Sequence, residues 1–160
     1  LDAADDYSPV SEATLSALLQ SEEYYGAYDI VVQLMANCPL RGVKEIDNAI
    51  ESFFENKQES QVSFFKYGWM NPWWAHTIDD GTPSALFKDV GQKRSQDLEK
   101  LYCPTGAIWI SQSKVLKNYK TFYSPNYRAQ EINWISAMDI DDYEDLKMAE
   151  ALFSLNGNIL

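Results

Sequence analysis

Two aspartates near the end of the chain have the residue type and the spacing for metal-ion chemistry. Asp139 and Asp141 are separated by the apolar Ile140. If residues 135–141 are extended, the two-residue period of a strand puts both carboxylates on one face and turns Ile140 toward a core. Two hard oxygen ligands suit Mg²⁺, which keeps several waters and also takes phosphate oxygens. The alternative is an acidic helix start that only complements the helix dipole.

The elements predicted around the aspartates form a corner. A strand is predicted over 131–135, just before them. Asp142 can cap a helix, with a second carboxylate three positions later at Asp145. The apolar residues that follow recur at helical spacing and are Leu146, Ala149, Leu152 and Phe153. The aspartates are therefore predicted to lie where a strand turns into a helix.

Upstream of this corner, predicted strands and helices alternate. Residues 28–35 form a short apolar, β-branched run typical of a strand that is covered on both faces. An amphipathic helix is predicted over 45–55 and a strand over 61–65. A strand over 107–110 leads into a short helix over 111–118. The alternation is typical of an α/β domain with helices on the faces of a parallel sheet, which binds ligands at the carboxyl ends of its strands.

The composition limits the classes of partner. A chain of 160 residues with 46% hydrophobic residues is sufficient for one domain with a substantial core. The formal charge of -11 argues against nucleic acid or an anionic membrane surface as the main partner. The absence of any apolar run of about 20 residues and of a basic signal peptide indicates a soluble, cytoplasmic protein. Cys38 and Cys103 are too few and too far apart for a disulfide framework or a zinc site, so reduced thiols are expected.

Two other segments have more than one interpretation. Arg94 follows Lys93 in a chain with few basic residues, and its planar guanidinium suits a carboxylate or phosphate; the alternative is an ordinary solvated surface pair. Three tryptophans crowd around a proline within 69–75, where they could form a satellite core, a ligand platform or a subunit contact. The sequence contains no glycine-rich phosphate loop.

Five segments in order resemble the acylneuraminate cytidylyltransferases, the enzymes that activate sialic acid and related nine-carbon acidic sugars. Residues 34–41, Leu-Met-Ala-Asn-Cys-Pro-Leu-Arg, resemble the family's Leu-Gln-Pro-Thr-Ser-Pro-Leu-Arg loop. Residues 71–75 and 94–98 resemble its Asn-Pro-Phe-Trp and Arg-Arg-Gln-Asp-Leu-Pro segments. Residues 102–110 are similar to its Tyr-x-x-Asn-Gly-Ala-Ile-Tyr-Ile segment, and 139–141 resemble its closing Asp-Ile-Asp. The resemblance covers almost the whole chain.

This resemblance implies a fold, an activity and an assembly. The fold is expected to be a three-layer, Rossmann-like nucleotide-diphospho-sugar transferase fold in one domain over 1–160, incomplete at the N-terminus, with a projecting dimerisation and sugar-site segment over about 69–110. The reaction is expected to be attack of a sugar hydroxyl on the α-phosphate of CTP, which expels pyrophosphate. A cytoplasmic homodimer is expected.

The resemblance also implies site residues. Asp139 and Asp141 are expected to hold Mg²⁺ or Mn²⁺ and to be the catalytic carboxylates. Arg94 is a candidate for the sugar carboxylate. The other substrate-binding candidates are Asn37, Cys38, Arg41, Gln96 and Thr105. For Arg41, a structural role that ties its loop together is an equal alternative.

The chain departs from the family pattern in three places. Met35 stands where the family has Gln, and Thr105 stands where it has Asn, which leaves the identity of the sugar open. The basic, glycine-containing loop that cradles CTP in the family has no match here. The 160-residue chain by itself is therefore expected to be inactive, and the alternative function is a non-catalytic binding or interaction protein on the same scaffold.

Overall fold

Apolar residues on both faces of the central strands give the domain three layers. The computed structural model describes residues 8–91 and 93–156, so the domain limits predicted at residues 1 and 160 lie outside the described residues. The helices and strands, in chain order, are α1 (Val10–Tyr25), β1 (Ile30–Gln33), α2 (Val43–Glu55), β2 (Ser60–Lys66), β3 (His76–Asp79), β4 (Thr82–Ala85), β5 (Tyr102–Gln112), α3 (Ser113–Tyr119), β6 (Tyr127–Glu131) and α4 (Tyr143–Asn156). None of the described helices is long and apolar enough to cross a membrane.

The central sheet is mixed, and the prediction of a parallel sheet is wrong. Its strand order is β1-β5-β2-β6, with β5 antiparallel to both of its neighbours and β6 parallel to β2. A parallel neighbour requires a connection that crosses the sheet, usually a helix. The connection between β2 and β5 instead leaves the sheet and re-enters it at the same end, because Lys66, the last residue of β2, pairs with Tyr102, the first residue of β5. The long β5 must therefore run back beside β2.

The two faces of the sheet carry separate cores. On one face α2 packs Phe53 against Ile108 and Ile110 of β5. On the other face Leu18 of α1 and Leu116 of α3 pack with Val62 of β2. Successive strand residues alternate between these faces because the side-chain period of a strand is two. The predicted α/β class with helices on both faces is confirmed.

The segment before the paired aspartates is a turn over 134–137, so the predicted strand over 131–135 and an extended backbone that begins at 135 are wrong. β6 ends at Glu131. The carboxamide oxygen of Asn133 then accepts hydrogen bonds from the backbone N–H groups of Ile135 (2.8 Å) and Ser136 (3.1 Å). Asn side chains that bond to the backbone in this way compete with the strand ladder and start turns.

Residues 67–101 form a long excursion between β2 and β5. β3 and β4 pair as an antiparallel hairpin within it, and their two-residue turn needs Gly81, whose φ is +75°. Trp73 packs edge-on against Phe87, with the two ring centroids 4.9 Å apart. The segment leaves large apolar side chains in solvent, including Trp69 at 88% exposure and Ile78 at 74%. Several large apolar side chains of this segment are therefore not covered by the described residues.

Candidate functional site

The candidate site lies at the end of the sheet where three strands, β1, β2 and β6, finish. β1 and β2 both run antiparallel to β5, and β6 runs parallel to β2, so all three point in one direction. The loop after β1, residues 34–42, and the segment after β6, residues 132–142, meet at this end. The main-chain N–H of Ile140 donates to the carbonyl of Asn37 over 2.9 Å and joins the two segments directly.

Asp139 and Asp141 are exposed carboxylates on a fixed backbone. The bond from Ile140 to Asn37 holds the backbone between them. The carboxylate of Asp145 accepts the N–H of Asp141 over 3.0 Å, while that of Asp142 accepts the N–H groups that begin α4, as the sequence predicts. The main chain is therefore anchored on both sides, and both side chains lie open to solvent.

Cys38 lies beneath the two aspartates as a buried, protonated thiol. Its side chain is almost fully buried, and burial is the main cause that raises its pKa. The negative charge of Asp139, and to a smaller extent that of Asp141, raises this pKa further, while Arg41 and the polar hydroxyl of Thr105 beside the thiol oppose the rise. A neutral thiol is a weak nucleophile, so Cys38 is not assigned a part in the chemistry. It forms part of the floor of the site.

Thr105 is buried and links β5 to the turn before the aspartates. Its hydroxyl donates to the carbonyl of Ala137 over 2.7 Å and accepts the N–H of Ala107 over 3.3 Å. Its own carbonyl accepts the hydroxyl of Ser63 and the indole N–H of Trp109. These contacts put Thr105 under the site, at 6% exposure.

Arg41 closes the loop after β1. One guanidinium nitrogen donates to the carbonyl of Met35. This bond supports the structural alternative for Arg41, while its charge still reaches the Cys38 thiol. We refer to Asn37, Cys38, Arg41, Thr105, Asp139 and Asp141 as the aspartate cluster.

Arg94 and Gln96 lie in the excursion and take part in local contacts. The guanidinium of Arg94 pairs with both carboxylate oxygens of Asp97, over 2.8 and 3.1 Å, at an exposed position. Gln96 lines a polar cavity of about 390 Å³ with Lys66 and Lys100. In the described part of the chain, neither residue forms a hydrogen bond or an ion pair with the aspartate cluster.

The two aspartates fit a partly hydrated divalent cation. Across residues 8–91 and 93–156, no group of three or more His, Cys, Asp or Glu side chains is arranged to hold a metal ion. A closed protein cage is therefore not formed by the described residues. Mg²⁺ commonly binds through one or two carboxylates and completes its shell with water and phosphate oxygens, and two exposed carboxylates suit that mode.

Two further contacts that support the site were missed in the sequence. Glu45 accepts the N–H of Gly42 (3.0 Å) and, through its other oxygen, the hydroxyl of Ser136 (3.1 Å), which ties α2 to the turn before the aspartates. Glu45 at the third position after Gly42 is half of a capping box, and because glycine has no side chain to complete it, the sequence gives only a weak signal for this contact. Met35 packs against Gly106 so closely that a Cβ there would overlap its sulfur, and no local signal predicts this contact.

Comparison with known proteins confirms the resemblance drawn from the motifs. No protein-family model matches the chain. The chain is 26% identical over 156 residues to the pseudaminic acid cytidylyltransferase of Campylobacter jejuni. This alignment covers 96% of the chain and 66% of the relative. It is 28% identical over 163 aligned positions to the CMP-N,N'-diacetyllegionaminic acid synthase of Legionella pneumophila, covering 99% of this chain and 68% of that protein. The chain thus spans about two thirds of the length of these relatives.

A solved structure shows the same fold. The CMP:2-keto-3-deoxy-manno-octonic acid synthetase complexed with CTP superposes with a TM-score of 0.57 over 89% of this chain and 68% of the synthetase, at 14% identity. The predicted nucleotide-diphospho-sugar transferase fold is therefore confirmed.

A third sequence relative matches a shorter part of the chain. The N-acylneuraminate cytidylyltransferase of Streptococcus agalactiae is 29% identical over 115 residues, covering 71% of this chain and 28% of the relative.

Proposed function

We propose that this chain carries the metal and sugar side of a cytidylyltransferase that activates a nine-carbon acidic sugar with CTP and releases pyrophosphate. The observation that carries the proposal is the aspartate cluster, where the loop after β1 and the segment after β6 are joined by the bond from Ile140 to Asn37. Its supports are curated relatives that are cytidylyltransferases for such sugars, and a synthetase of the same fold that was solved with CTP.

Asp139 and Asp141 are proposed as the ligands of Mg²⁺ or Mn²⁺. When bound, the cation would neutralise charge on the phosphates during the displacement. The role of this chain is to hold the backbone that carries the two carboxylates, through the carbonyl of Asn37 on one side and the carboxylate of Asp145 on the other. Both stay exposed, so phosphate oxygens and water can reach a cation held there.

The sugar is proposed to bind beside the carboxylates, over the loop after β1. Asn37 directly precedes Cys38, which forms the floor of the cluster. Its carboxamide oxygen accepts a weak hydrogen bond from the S–H group of Cys38. Arg94 is proposed for the sugar carboxylate and Gln96 as a further substrate-binding residue, and both roles require the excursion to bring these residues toward the cluster. The cavity beside Gln96 is lined by Lys66, Glu99 and Lys100 and shares no lining residue with the aspartate cluster.

A cytoplasmic homodimer built through the excursion is also proposed. Trp69, Met70, Ile78 and Leu86 expose apolar side chains on this one segment. Clusters of large apolar residues with Trp among them are typical of the centres of protein interfaces.

The activity is tested by exchange into a relative. The 156 matched residues of the Campylobacter jejuni enzyme are replaced by this chain, and pyrophosphate release from CTP is measured with pseudaminic, N,N'-diacetyllegionaminic and N-acetylneuraminic acids. Sugar-dependent release that is lost in Asp139→Asn and Asp141→Asn is expected. Direct calorimetry of the three sugars with this chain and Mg²⁺ provides a second measurement. A folded exchange protein without release, together with no sugar binding to the chain, would rule out the proposal.

A further inference from the structure

The segment that carries the aspartates is anchored to the fold at several separate points. The N–H of Ile140 donates to the carbonyl of Asn37, and the hydroxyl of Thr105 donates to the carbonyl of Ala137. These two anchors join the segment to the loop after β1 and to β5. A further anchor comes from a helix, through Glu45 in the first turn of α2.

Ser136 is the residue at which the helical anchor meets this segment. Its hydroxyl donates to one carboxylate oxygen of Glu45 over 3.1 Å and accepts the carboxamide N–H of Asn133, also over 3.1 Å. Its main-chain N–H donates to the carboxamide oxygen of Asn133. Ser136 is 4% exposed, so water does not compete freely for these bonds. A buried hydroxyl whose bonds are all made is costly to displace, which holds the turn in place.

The second carboxylate oxygen of Glu45 holds the carboxylate itself. It accepts the main-chain N–H of Gly42 over 3.0 Å, at the start of α2. One oxygen of Glu45 therefore bonds to the loop after β1, and the other bonds to the turn before the aspartates. Asn133, Ser136, Glu45 and Gly42 form one connected set of hydrogen bonds, which reaches the chain three residues before Asp139.

We propose that Glu45 is a positioning residue for the cation held by Asp139 and Asp141. It holds the turn through Ser136, and the turn holds the backbone that carries the two aspartates. Glu45 is not a ligand, since both of its oxygens accept bonds from the protein and, in the described residues, it does not join the aspartates in a metal-binding group of three. This inference rests on the proposed cation site and adds α2 to the parts of the fold that determine its affinity.

Loss of the bond between Glu45 and Ser136 should weaken cation binding. A turn without this bond has more freedom, and a cation that binds must then order it. The cost is at most that of one net hydrogen bond, which is about fivefold in a dissociation constant. Glu45→Ala and Ser136→Ala remove the same bond from its two ends, so each should weaken Mn²⁺ binding about threefold to fivefold. The double variant should weaken it little further, because the two residues act as one unit.

Two comparisons separate position from charge. Ser136→Ala changes no charge, so an effect of this variant cannot come from the field of a carboxylate. Glu45→Gln loses the charge but keeps one acceptor oxygen, and it should weaken Mn²⁺ binding less than Glu45→Ala does.

Each position also has a matched control. Glu51→Ala removes an exposed carboxylate from the same helix. Ser124→Ala removes a hydroxyl that is as buried as that of Ser136 but has no hydrogen-bond partner within residues 8–91 and 93–156. Neither control should change the Mn²⁺ dissociation constant by more than about 1.5-fold, since neither removes a bond to the turn.

The measurements are made on the 160-residue chain. Electron paramagnetic resonance of free Mn²⁺ gives the affinity, and urea unfolding gives the stability of each variant. Hydrogen exchange adds a readout that a merely structural role would not move. The N–H of Ala137 donates to the carbonyl of Asn133 and reports opening of the turn. Saturating Mg²⁺ should slow its exchange more in Glu45→Ala than in the parent chain, because the bound cation closes a turn that the variant has loosened.

The outcomes distinguish failure of this inference from failure of the cation site. If Glu45→Ala and Ser136→Ala lose stability but keep the parent Mn²⁺ affinity, while Asp139→Asn weakens binding, the cation site stands and the role of Glu45 is rejected. Equal weakening in Glu45→Gln and Glu45→Ala, with none in Ser136→Ala, would show that Glu45 acts through its charge. Absence of Mn²⁺ binding in the parent chain would reject the cation site itself, and this inference with it.

Discussion

The pKa of the Cys38 thiol, at the floor of the aspartate cluster, depends on both its burial and the charges around it. Burial and the nearby carboxylates raise the pKa of its thiol. A group whose pKa is higher in the folded state stabilises the fold fully below its unfolded pKa. That stability is lost as pH rises through the folded pKa.

The free energy of unfolding should therefore fall as pH rises above the ordinary thiol range of about 8.5. Cys38→Ser, which removes the titrating group, should reduce this slope relative to the parent chain. Cys103→Ser removes the half-exposed second thiol, which contacts Tyr67, and should change the slope less than Cys38→Ser does. Urea unfolding at several pH values measures the difference. Equal slopes in the parent chain and Cys38→Ser would contradict the assignment.

Asp139 and Asp141 should control divalent-cation affinity. With only two protein carboxylates available, Asp139→Asn or Asp141→Asn should each weaken Mn²⁺ binding by about tenfold or more. Because both side chains are exposed, the fold should be unaffected. The measurement is electron paramagnetic resonance of free Mn²⁺, with circular dichroism to check the fold. Asp47→Asn, an exposed aspartate on α2, is the control; an equal effect of all three changes would contradict a specific site.

At the scale of elements, Thr105 joins three parts of the fold. Its hydroxyl satisfies the carbonyl of Ala137, so Thr105→Val should leave that carbonyl without its partner and cost about 1–3 kcal/mol of unfolding free energy. Thr77→Val, on the exposed hairpin, should change stability by less than about 0.5 kcal/mol. Urea denaturation gives both values. A Thr105→Val cost no larger than that of Thr77→Val would remove the supporting role.

Local sequence patterns predicted elements better than connections. The apolar spacing of Ile46, Ala49 and Phe53 is that of an isolated amphipathic helix, and α2 forms where it predicts. The direction of β5 has no local signal, because it depends on whether residues 67–101 cross the sheet. The turn at Asn133 was missed because its neighbours Ile132, Trp134 and Ile135 are apolar and favour a strand. The Asn133 carboxamide starts the turn by bonding to the backbone, in competition with that strand.

The site was predictable where residues are close in sequence or matched in motif. Asn37 and Cys38 come together with the aspartates because β1 and β6 run in the same direction and finish at the same end of the sheet. Thr105 reaches that end from the start of the antiparallel β5. The roles within this cluster were less predictable. Burial of Thr105 and the bond from Arg41 to Met35 are set by packing between distant segments, which no single motif encodes.

At the scale of the whole molecule, the excursion should determine the assembly. If its exposed apolar side chains form the centre of a dimer interface, Trp69→Glu should raise the dimer dissociation constant by about thirtyfold or more. Phe153→Glu, at an equally apolar and 69% exposed position on α4, is the control and should not. Sedimentation equilibrium over a range of concentrations measures both. A chain that is monomeric throughout that range would contradict the dimer.

The overall charge leads to the last prediction, that residues 1–160 alone bind Mn²⁺ but do not convert CTP. A triphosphate needs donors along its length as well as a cation, because catalysis of this transfer is mainly positioning and charge compensation. The net charge is -11, and the one cation of the aspartate cluster, Arg41, already donates to Met35. The sequence has no glycine-rich phosphate loop to supply further donors.

Weak CTP affinity and no pyrophosphate release are therefore expected with any of the three nine-carbon sugars. Calorimetry with CTP and Mg²⁺ and a pyrophosphate assay test this, with the Campylobacter jejuni enzyme as the positive control under the same conditions. If residues outside the described range or in the excursion supply the missing donors, release will depend on the sugar and will be lost in Asp139→Asn. That result would show that the acidic chain holds a complete nucleotide site, and the division between a metal and sugar side and a separate nucleotide side would be wrong.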